Sequence, residues 1–365
     1  MSPANEIDQA YTLMDGATGE VDATIQDVDA QRRIAADPSK PLPLRLEAFE
    51  DIIDSQVGDT TMVRTRNLER QMGLRQLYLK FEGGNPTGTQ KDRIAFAQAM
   101  DAMRRGFDAV VVATCGNYGV AVAMACSLCG LRNLIFIPGN YHTKRVAEME
   151  RLGAEIHRVQ GGDYEAAVEA ARQCAREHDY YDANPGGANT GLQLQAYGTI
   201  ASEIYDDLRD APAVVAAPVS NGTTLAGLYR GFLSLYRRGK TSHMPRIVAG
   251  SSFGKNPIVQ SFLQGYASCR DLAPERIHET QINEPLINWH AIDGDHALTA
   301  IRATHGWAAN ASDKSMLQFA RMLSENEGLQ VLPASTAGLI ALIDRHRREP
   351  LSGDRYVVLL TGRKS

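Results

Sequence analysis

From about residue 75 to its end, the chain alternates short, nearly unbroken apolar runs with segments of helical periodicity. Runs at 77–81, 109–113, 134–138, 155–159, 213–217, 246–250 and 355–360 have the length of strands. Segments 94–100, 120–129, 144–152, 163–177, 225–236 and 335–345 read as helices, the third of them closed by Gly153. Strands that are apolar on both faces are what a parallel sheet covered by helices on each side requires. The pattern therefore predicts an α/β architecture, which does not by itself decide function. Residues 1 to about 50 are polar, acidic early and proline-rich at Pro41-Leu42-Pro43. They predict an extension or lid with weak helices and no chemistry. No internal repeat or low-complexity linker interrupts the alternation.

Ligands of parallel sheets bind at the carboxyl ends of strands, and the loops found there carry unusual residues. The stretch Gly83-Gly84-Asn85-Pro86-Thr87-Gly88-Thr89-Gln90-Lys91-Asp92-Arg93 joins the run 77–81 to the helix 94–100. It sets a lysine at a helix start, where the positive end of the dipole disfavours a cation. The same placement helps depress an amine pKa, as an imine-forming lysine needs. The loop Thr114-Cys115-Gly116-Asn117-Tyr118-Gly119 offers N–H groups at a helix start to an anion such as a carboxylate. Ser220, Asn221, Gly222, Thr223 and Thr224 lie between Pro218 and a helix, a composition able to surround a phosphate. Neither a Walker lysine nor a G-x-G-x-x-G is present, which weakens a dinucleotide-binding oxidoreductase. Leu359-Leu360-Thr361-Gly362 places a hydroxyl at the last strand end.

Composition narrows the function classes. A length of 365 residues suits two domains, and 44% hydrophobic with 22% charged residues is ordinary for a soluble globular protein. A net charge of −5 gives no reason to expect nucleic acid or an anionic membrane as partner. No apolar stretch is long enough to span a bilayer, and the N-terminus lacks the regions of a signal peptide. Five cysteines without a paired framework suit a reducing cytoplasm. Cys126 and Cys129 form a C-x-x-C inside an apolar helix and read as buried small residues, not as ligands; no metal site is expected.

Asn85-Pro86-Thr87-Gly88-Thr89-Gln90-Lys91-Asp92-Arg93 resembles the lysine motif of the threonine synthases, within the fold-type II pyridoxal-phosphate (PLP) enzymes. The resemblance implies two three-layer α/β/α domains with mostly parallel sheets and the active site between them. It implies an extension over 1–55, a large PLP-binding domain over 56–112 and 185–365, and a smaller mobile domain over 113–184. Lys91 is then the catalytic residue and carries the cofactor as a Schiff base. Asn117 would bond the cofactor's ring oxygen, while Thr114, Cys115, Gly116, Asn117 and Tyr118 would grip the substrate α-carboxylate. The phosphate would sit on Ser220, Asn221, Gly222, Thr223 and Thr224, and Thr361 would meet the pyridine nitrogen without protonating it. Glu284-Pro285-Leu286 and the segment 327–337 are similar to further family segments in the same order. A small amino-acid substrate and a homodimer are what the likeness implies.

Departures from the family pattern cluster on the substrate side. Gln90 stands where phenylalanine is usual, Thr60-Thr61 where Thr-Pro is usual, and Cys115 and Tyr118 are atypical. In the cup, Ser220 replaces a more usual glycine. Alignment back from Thr199 and Glu203 puts Gln193 and Gly198 at the arginine and lysine that bind the substrate phosphate in threonine synthases. His142, Lys144 and Arg145 could supply another phosphate or sulfonate site, although a solvated helix start is the plainer reading. The expected activity is elimination or replacement at Cβ or Cγ of a small anionic amino acid, phosphorylated or bearing sulfur or sulfonate. It makes the protein a lyase or transferase. The alternatives are threonine synthase itself, acting on O-phosphohomoserine, and a non-catalytic PLP-fold amino-acid-binding protein.

Overall fold

The apolar runs assemble into ten strands among the described residues, divided between two sheets. The structure, a computed structural model, describes residues 28–114, 116–139, 144–161 and 164–364. The larger sheet contains β1 (Met62–Arg64), β2 (Leu77–Phe81), β7 (Val214–Pro218), β8 (Arg246–Ser252), β9 (Ala308–Ala311) and β10 (Tyr356–Leu360). Their order is β1-β2-β10-β7-β8-β9, and only β1 runs antiparallel to its neighbour. The smaller sheet contains β3 (Ala109–Ala113), β4 (Arg132–Pro138), β5 (Glu155–Val159) and β6 (Tyr181–Asp182), all parallel in the order β5-β4-β3-β6.

The side-chain period of a strand explains why the runs are apolar throughout. Val357 and Leu359 of β10 and Val215 and Ala217 of β7 enter the core with Leu225 and Leu228 of the helix Thr223–Arg237. Their neighbours Val358, Leu360, Val214 and Ala216 point the other way, into a second core with Leu339, Ile340 and Ile343 of the helix Ala337–Arg348. In the smaller sheet Val110 and Val112 share the first core, while Ala109, Val111 and Ala113 pack with Ala167, Ala171 and Ala175 of the helix Tyr164–His178. Each sheet is thus a middle layer between helices, the predicted α/β/α arrangement. Cys126 and Cys129 are buried in the helix Asn117–Cys129, and burial pushes both thiols up.

Two boundaries differ from expectation. A division at residue 112 would cut β3 near its end, yet β3 pairs with β4 along its length and with β6 at Val110 and Val111. The smaller sheet therefore begins at Ala109. The expected extension also joins the core, from Ala35 on. The helix Leu42–Gln56 buries Ala48, Phe49 and Ile52, and Phe49 stacks on Phe96 with ring centroids 5.9 Å apart. Its proline-rich start is a helix N-terminus, where Pro is favoured. Removing the ring by Phe49→Ala should lower the unfolding free energy by about 3–5 kcal/mol, measured by urea denaturation. A loss below about 1 kcal/mol would show the helix to be a peripheral attachment.

Candidate active site

The loop after β2 is held on every side before it reaches Lys91. Asn85 donates through Nδ2 to Glu82 O (3.0 Å) and accepts from Gly58 N at 3.0 Å. Asp92 accepts from Thr87 N at 2.9 Å and from Thr87 Oγ1 at 2.7 Å. Burial raises the Asp92 carboxyl to about 6 against the lowering effect of those bonds. Gln90 N donates to Thr361 O at 3.0 Å, and Arg363 N to Gly88 O at 2.9 Å, which sews the loop to the end of β10. Gly88 has φ +84°, a conformation natural to glycine.

Beneath the loop lies a buried charge cluster. Arg93 donates to Glu82 Oε2 through Nε (2.6 Å) and to Glu203 Oε1 through Nη1 (2.6 Å). Thr60 Oγ1 donates to Glu82 Oε1 at 2.7 Å, Arg93 Nη1 to Thr199 Oγ1 at 2.9 Å, and Lys80 Nζ pairs with Glu203 Oε2 at 2.6 Å. Burial alone would raise the Glu203 carboxyl. The bonds and charges of Arg93, with those of Lys80, outweigh it and bring the pKa down to about 2. Thr199 and Glu203 serve in the sequence as alignment anchors. In the structure their side chains are partners of the arginine two residues after Lys91.

Lys91 opens the helix Lys91–Arg104, and its side chain enters a cleft at the strand ends of the larger sheet. Burial lowers its amine pKa to about 8, against the opposing charge of Asp293. Desolvation is therefore the main cause of the shift, where the sequence suggests the helix dipole. The same cleft is lined by Asn117, by Ser220, Asn221, Gly222, Thr223 and Thr224, and by Thr361. Thr361 Oγ1 lies 3.1 Å from Ser335 Oγ. Gln90 is also in the lining, and its Oε1 is buried with no hydrogen-bond partner among the described residues.

The 220–224 loop crosses from β7 to the start of the helix Thr223–Arg237. Gly222 has φ +96°, and a Cβ there would lie 2.6 Å from Asp293 O, so only glycine fits. Helix-start N–H groups and three hydroxyls make the donor set of a phosphate cup. An amine at 91, this cup and a neutral hydroxyl at 361 suit the aldehyde, phosphate and ring nitrogen of PLP. Two residues of the surroundings gave no signal in the sequence. Asp293 is 2% exposed and accepts from Thr223 Oγ1 at 2.5 Å, and Asn288 bonds the side chain of Asn221.

The expected substrate loop divides. Asn117 joins the cleft, Cys115 lies outside the described residues, and Thr114 and Gly116 are outside the lining. The Tyr118 ring centroid is 5.8 Å from Lys91 Nζ, but its hydroxyl is turned into the interior, 2.8 Å from Ala183 O and bonded to Gln98. Gln193 is fully buried and outside the cleft lining. It donates to Gln98 Oε1 at 3.3 Å and accepts from Gly186 N at 3.4 Å. That is a structural role, so the substrate contact expected at 193 is not seen. Gly198 lies where the helices Thr190–Leu208 and Thr223–Arg237 cross, and a Cβ there would meet Gly227 O at 3.3 Å. Arg145 pairs with Glu148 at 2.7 Å, and His142 lies outside the described residues.

Residues 53–362 match the family described as pyridoxal-phosphate dependent enzyme. A threonine synthase of Methanocaldococcus jannaschii is 28% identical over 322 residues, 88% of this chain and 77% of that protein. A threonine synthase of a Bacillus species is 30% identical over 308 residues, 84% of this chain and 82% of that protein. Among solved structures, a threonine deaminase of T.th. superposes with a TM-score of 0.70 at 22% identity, covering 88% of this chain and 97% of its own. Maize serine racemase gives a TM-score of 0.70 at 18% identity, covering 88% and 94%. These two likenesses concern the fold.

The Lys91 pKa has a kinetic consequence. With a value of about 8, the neutral fraction rises roughly tenfold from pH 7 to pH 9 and then levels off. The initial rate at which added PLP becomes attached to Lys91 should follow that curve. A rise of roughly a hundredfold over the same interval would indicate an ordinary, solvated lysine.

Proposed function

The chain belongs to the pyridoxal-phosphate dependent enzymes, as a threonine-synthase-like member of fold type II. From that premise we propose that it eliminates or replaces a Cβ or Cγ substituent less charged than phosphate, on a small amino acid. Bound PLP supplies an electron sink next to the substrate Cα. Lys91, with an amine poised near neutral pH, is the base that takes and returns the proton at Cα. Asn117 orients the ring, and the 220–224 loop anchors the phosphate. The Thr361 hydroxyl, which lies 3.1 Å from Ser335 Oγ, would offer the ring nitrogen an uncharged partner. A neutral partner there restrains charge delocalisation and favours loss of a Cβ or Cγ group over transamination.

The observation that carries the substrate reading is the charge of the cleft. Lys91 is the one cationic side chain among its described lining residues. A dianionic leaving group is held best by charge-assisted bonds, and the two positions aligned with such cations are a buried amide, Gln193, and a helix crossing, Gly198. The buried Gln90 Oε1 is an acceptor suited to a donor on the substrate or nucleophile. A sulfur-bearing side chain fits these features better than a phosphorylated one.

Steady-state turnover with O-phosphohomoserine and with β-substituted, sulfur-bearing amino acids tests this reading. Losing two charge-assisted bonds of about 1.5–3 kcal/mol each predicts that kcat/KM for O-phosphohomoserine is lower by roughly a hundredfold or more. Efficient release of inorganic phosphate from O-phosphohomoserine would overturn the proposal in favour of threonine synthase. Loss of all turnover in Lys91→Ala is expected for either substrate.

A further inference from the structure

A buried phenol lies beneath the phosphate cup without a partner for its proton. Tyr197, on the helix Thr190–Leu208, is wholly buried, and its Oη has no hydrogen-bond partner among the described residues. Burying a hydroxyl unpaired is costly, and such groups are few in folded proteins. Burial also pushes the phenol's pKa up, so the group keeps its proton and stands as a donor.

Where the ring points follows from a helix crossing. A Cβ at Gly227 would lie 2.5 Å from Tyr197 Cβ and 3.1 Å from Leu194 O, and one at Gly231 would collide with Gly198 O and Ala201 Cβ. Residues 194 and 197 meet 227, while 198 and 201 meet 231, so the helices Thr190–Leu208 and Thr223–Arg237 run the same way through their contact. Helical side chains lean toward their own N-terminus, which carries the Tyr197 ring from Gly227 toward the first turn of its neighbour. The Thr224 hydroxyl is the polar group it meets there, close enough to act on the phenol without closing a well-formed bond. The carboxylates whose charge reaches the phenol are already engaged, Glu82 with Arg93, Thr60 and Asn85, and Asp92 with Thr87. Thr223 gives its hydroxyl to Asp293 at 2.5 Å, whereas Thr224 lines the cleft.

We propose that Tyr197 is a positioning residue for a phosphate in the 220–224 loop: its O–H is given to Thr224 Oγ1, which leaves the Thr224 proton to be given to the phosphate. A hydroxyl can accept and donate at once, and bonds in such a chain strengthen one another. Without an anion in the cup nothing turns the Thr224 hydroxyl, and the phenol stays unpaired. An arriving phosphate supplies the acceptor that orients Thr224 and so completes both bonds. The inference rests on the placement of the cofactor phosphate in this loop and is independent of the substrate.

The test uses the full chain and pyridoxine 5′-phosphate, which has an alcohol in place of the cofactor aldehyde and so reports the cup without a bond to Lys91. Tyr197→Phe keeps the ring and removes only the hydroxyl. It should bind the probe roughly tenfold more weakly by equilibrium dialysis. The urea midpoint of the ligand-free chain should be unchanged or higher, because an unpaired buried group has been removed. A merely structural hydroxyl would lower that midpoint. In a Thr224→Val background, with circular dichroism checking the fold, the effect of Tyr197→Phe on probe binding should shrink to within about twofold, since no oxygen at 224 passes the bond on. Thr224→Ala serves where valine disturbs the helix start. Unchanged probe binding in Tyr197→Phe, a lowered midpoint, or the same loss with and without the Thr224 hydroxyl would overturn the proposal. Ser220→Asp separates the premise from the inference. If it leaves probe binding unchanged, the phosphate is not in this loop and both fall; if it weakens binding while Tyr197→Phe does nothing, only the role of Tyr197 falls.

Discussion

The ion cluster of Arg93, Glu82, Glu203 and Lys80 is the constraint on which the cleft depends. All four side chains are buried or nearly so, with Arg93 bonded to both carboxylates. Two cations and two anions balance, and Thr60, Asn85 and Thr199 satisfy further donors and acceptors around them. Such a set is weak evidence for net stability, but removing one member leaves an uncompensated buried charge and costs about 3–5 kcal/mol. Its value here is geometric. Arg93 is two residues from Lys91, Glu82 opens the loop before it, and Glu203 belongs to the helix Thr190–Leu208. The cluster fixes the start of the lysine helix against a second helix and against β2, so the amine enters the cleft from a rigid base.

The same construction explains how a lysine can work near neutral pH. Its pKa falls because the amine is buried, and Asp293 limits how far it falls. The terminal strand contributes twice, through the Thr361 hydroxyl and through backbone bonds that hold Gln90 and Gly88. Residues far apart in sequence thus meet at the carboxyl ends of β2, β7 and β10, the part of a parallel sheet where ligands bind. Apart from Lys91, the described lining of the cleft is made of neutral side chains.

Much of this is legible in the sequence because it is written locally. Continuous apolar runs point to the parallel sheets, and the loop compositions around Lys91, Asn117, 220–224 and Thr361 point to residues that do line one cleft. Contacts set by tertiary packing are not legible. Phe49 looks like part of a polar, proline-rich extension until Phe96 is seen against it. Alignment places Gln193 at the substrate, but burial behind Tyr118 and Gln98 gives it a structural task. Tyr118 turns its hydroxyl inward for the same reason. Asp293 sits in a segment without apolar periodicity or a motif, and only the fold brings it to Thr223. The two-residue strand β6 is too short for any periodicity to show.

The central claim is that Lys91 is the amine that carries the cofactor. Borohydride reduction of the PLP-loaded protein, followed by peptide mass mapping, tests it most directly. The account predicts one equivalent of reduced cofactor, on the peptide containing Lys91, with none on the Lys80, Lys144 or Lys255 peptides. Stoichiometric label on another lysine, or none on Lys91 in a protein that retains PLP, would contradict it.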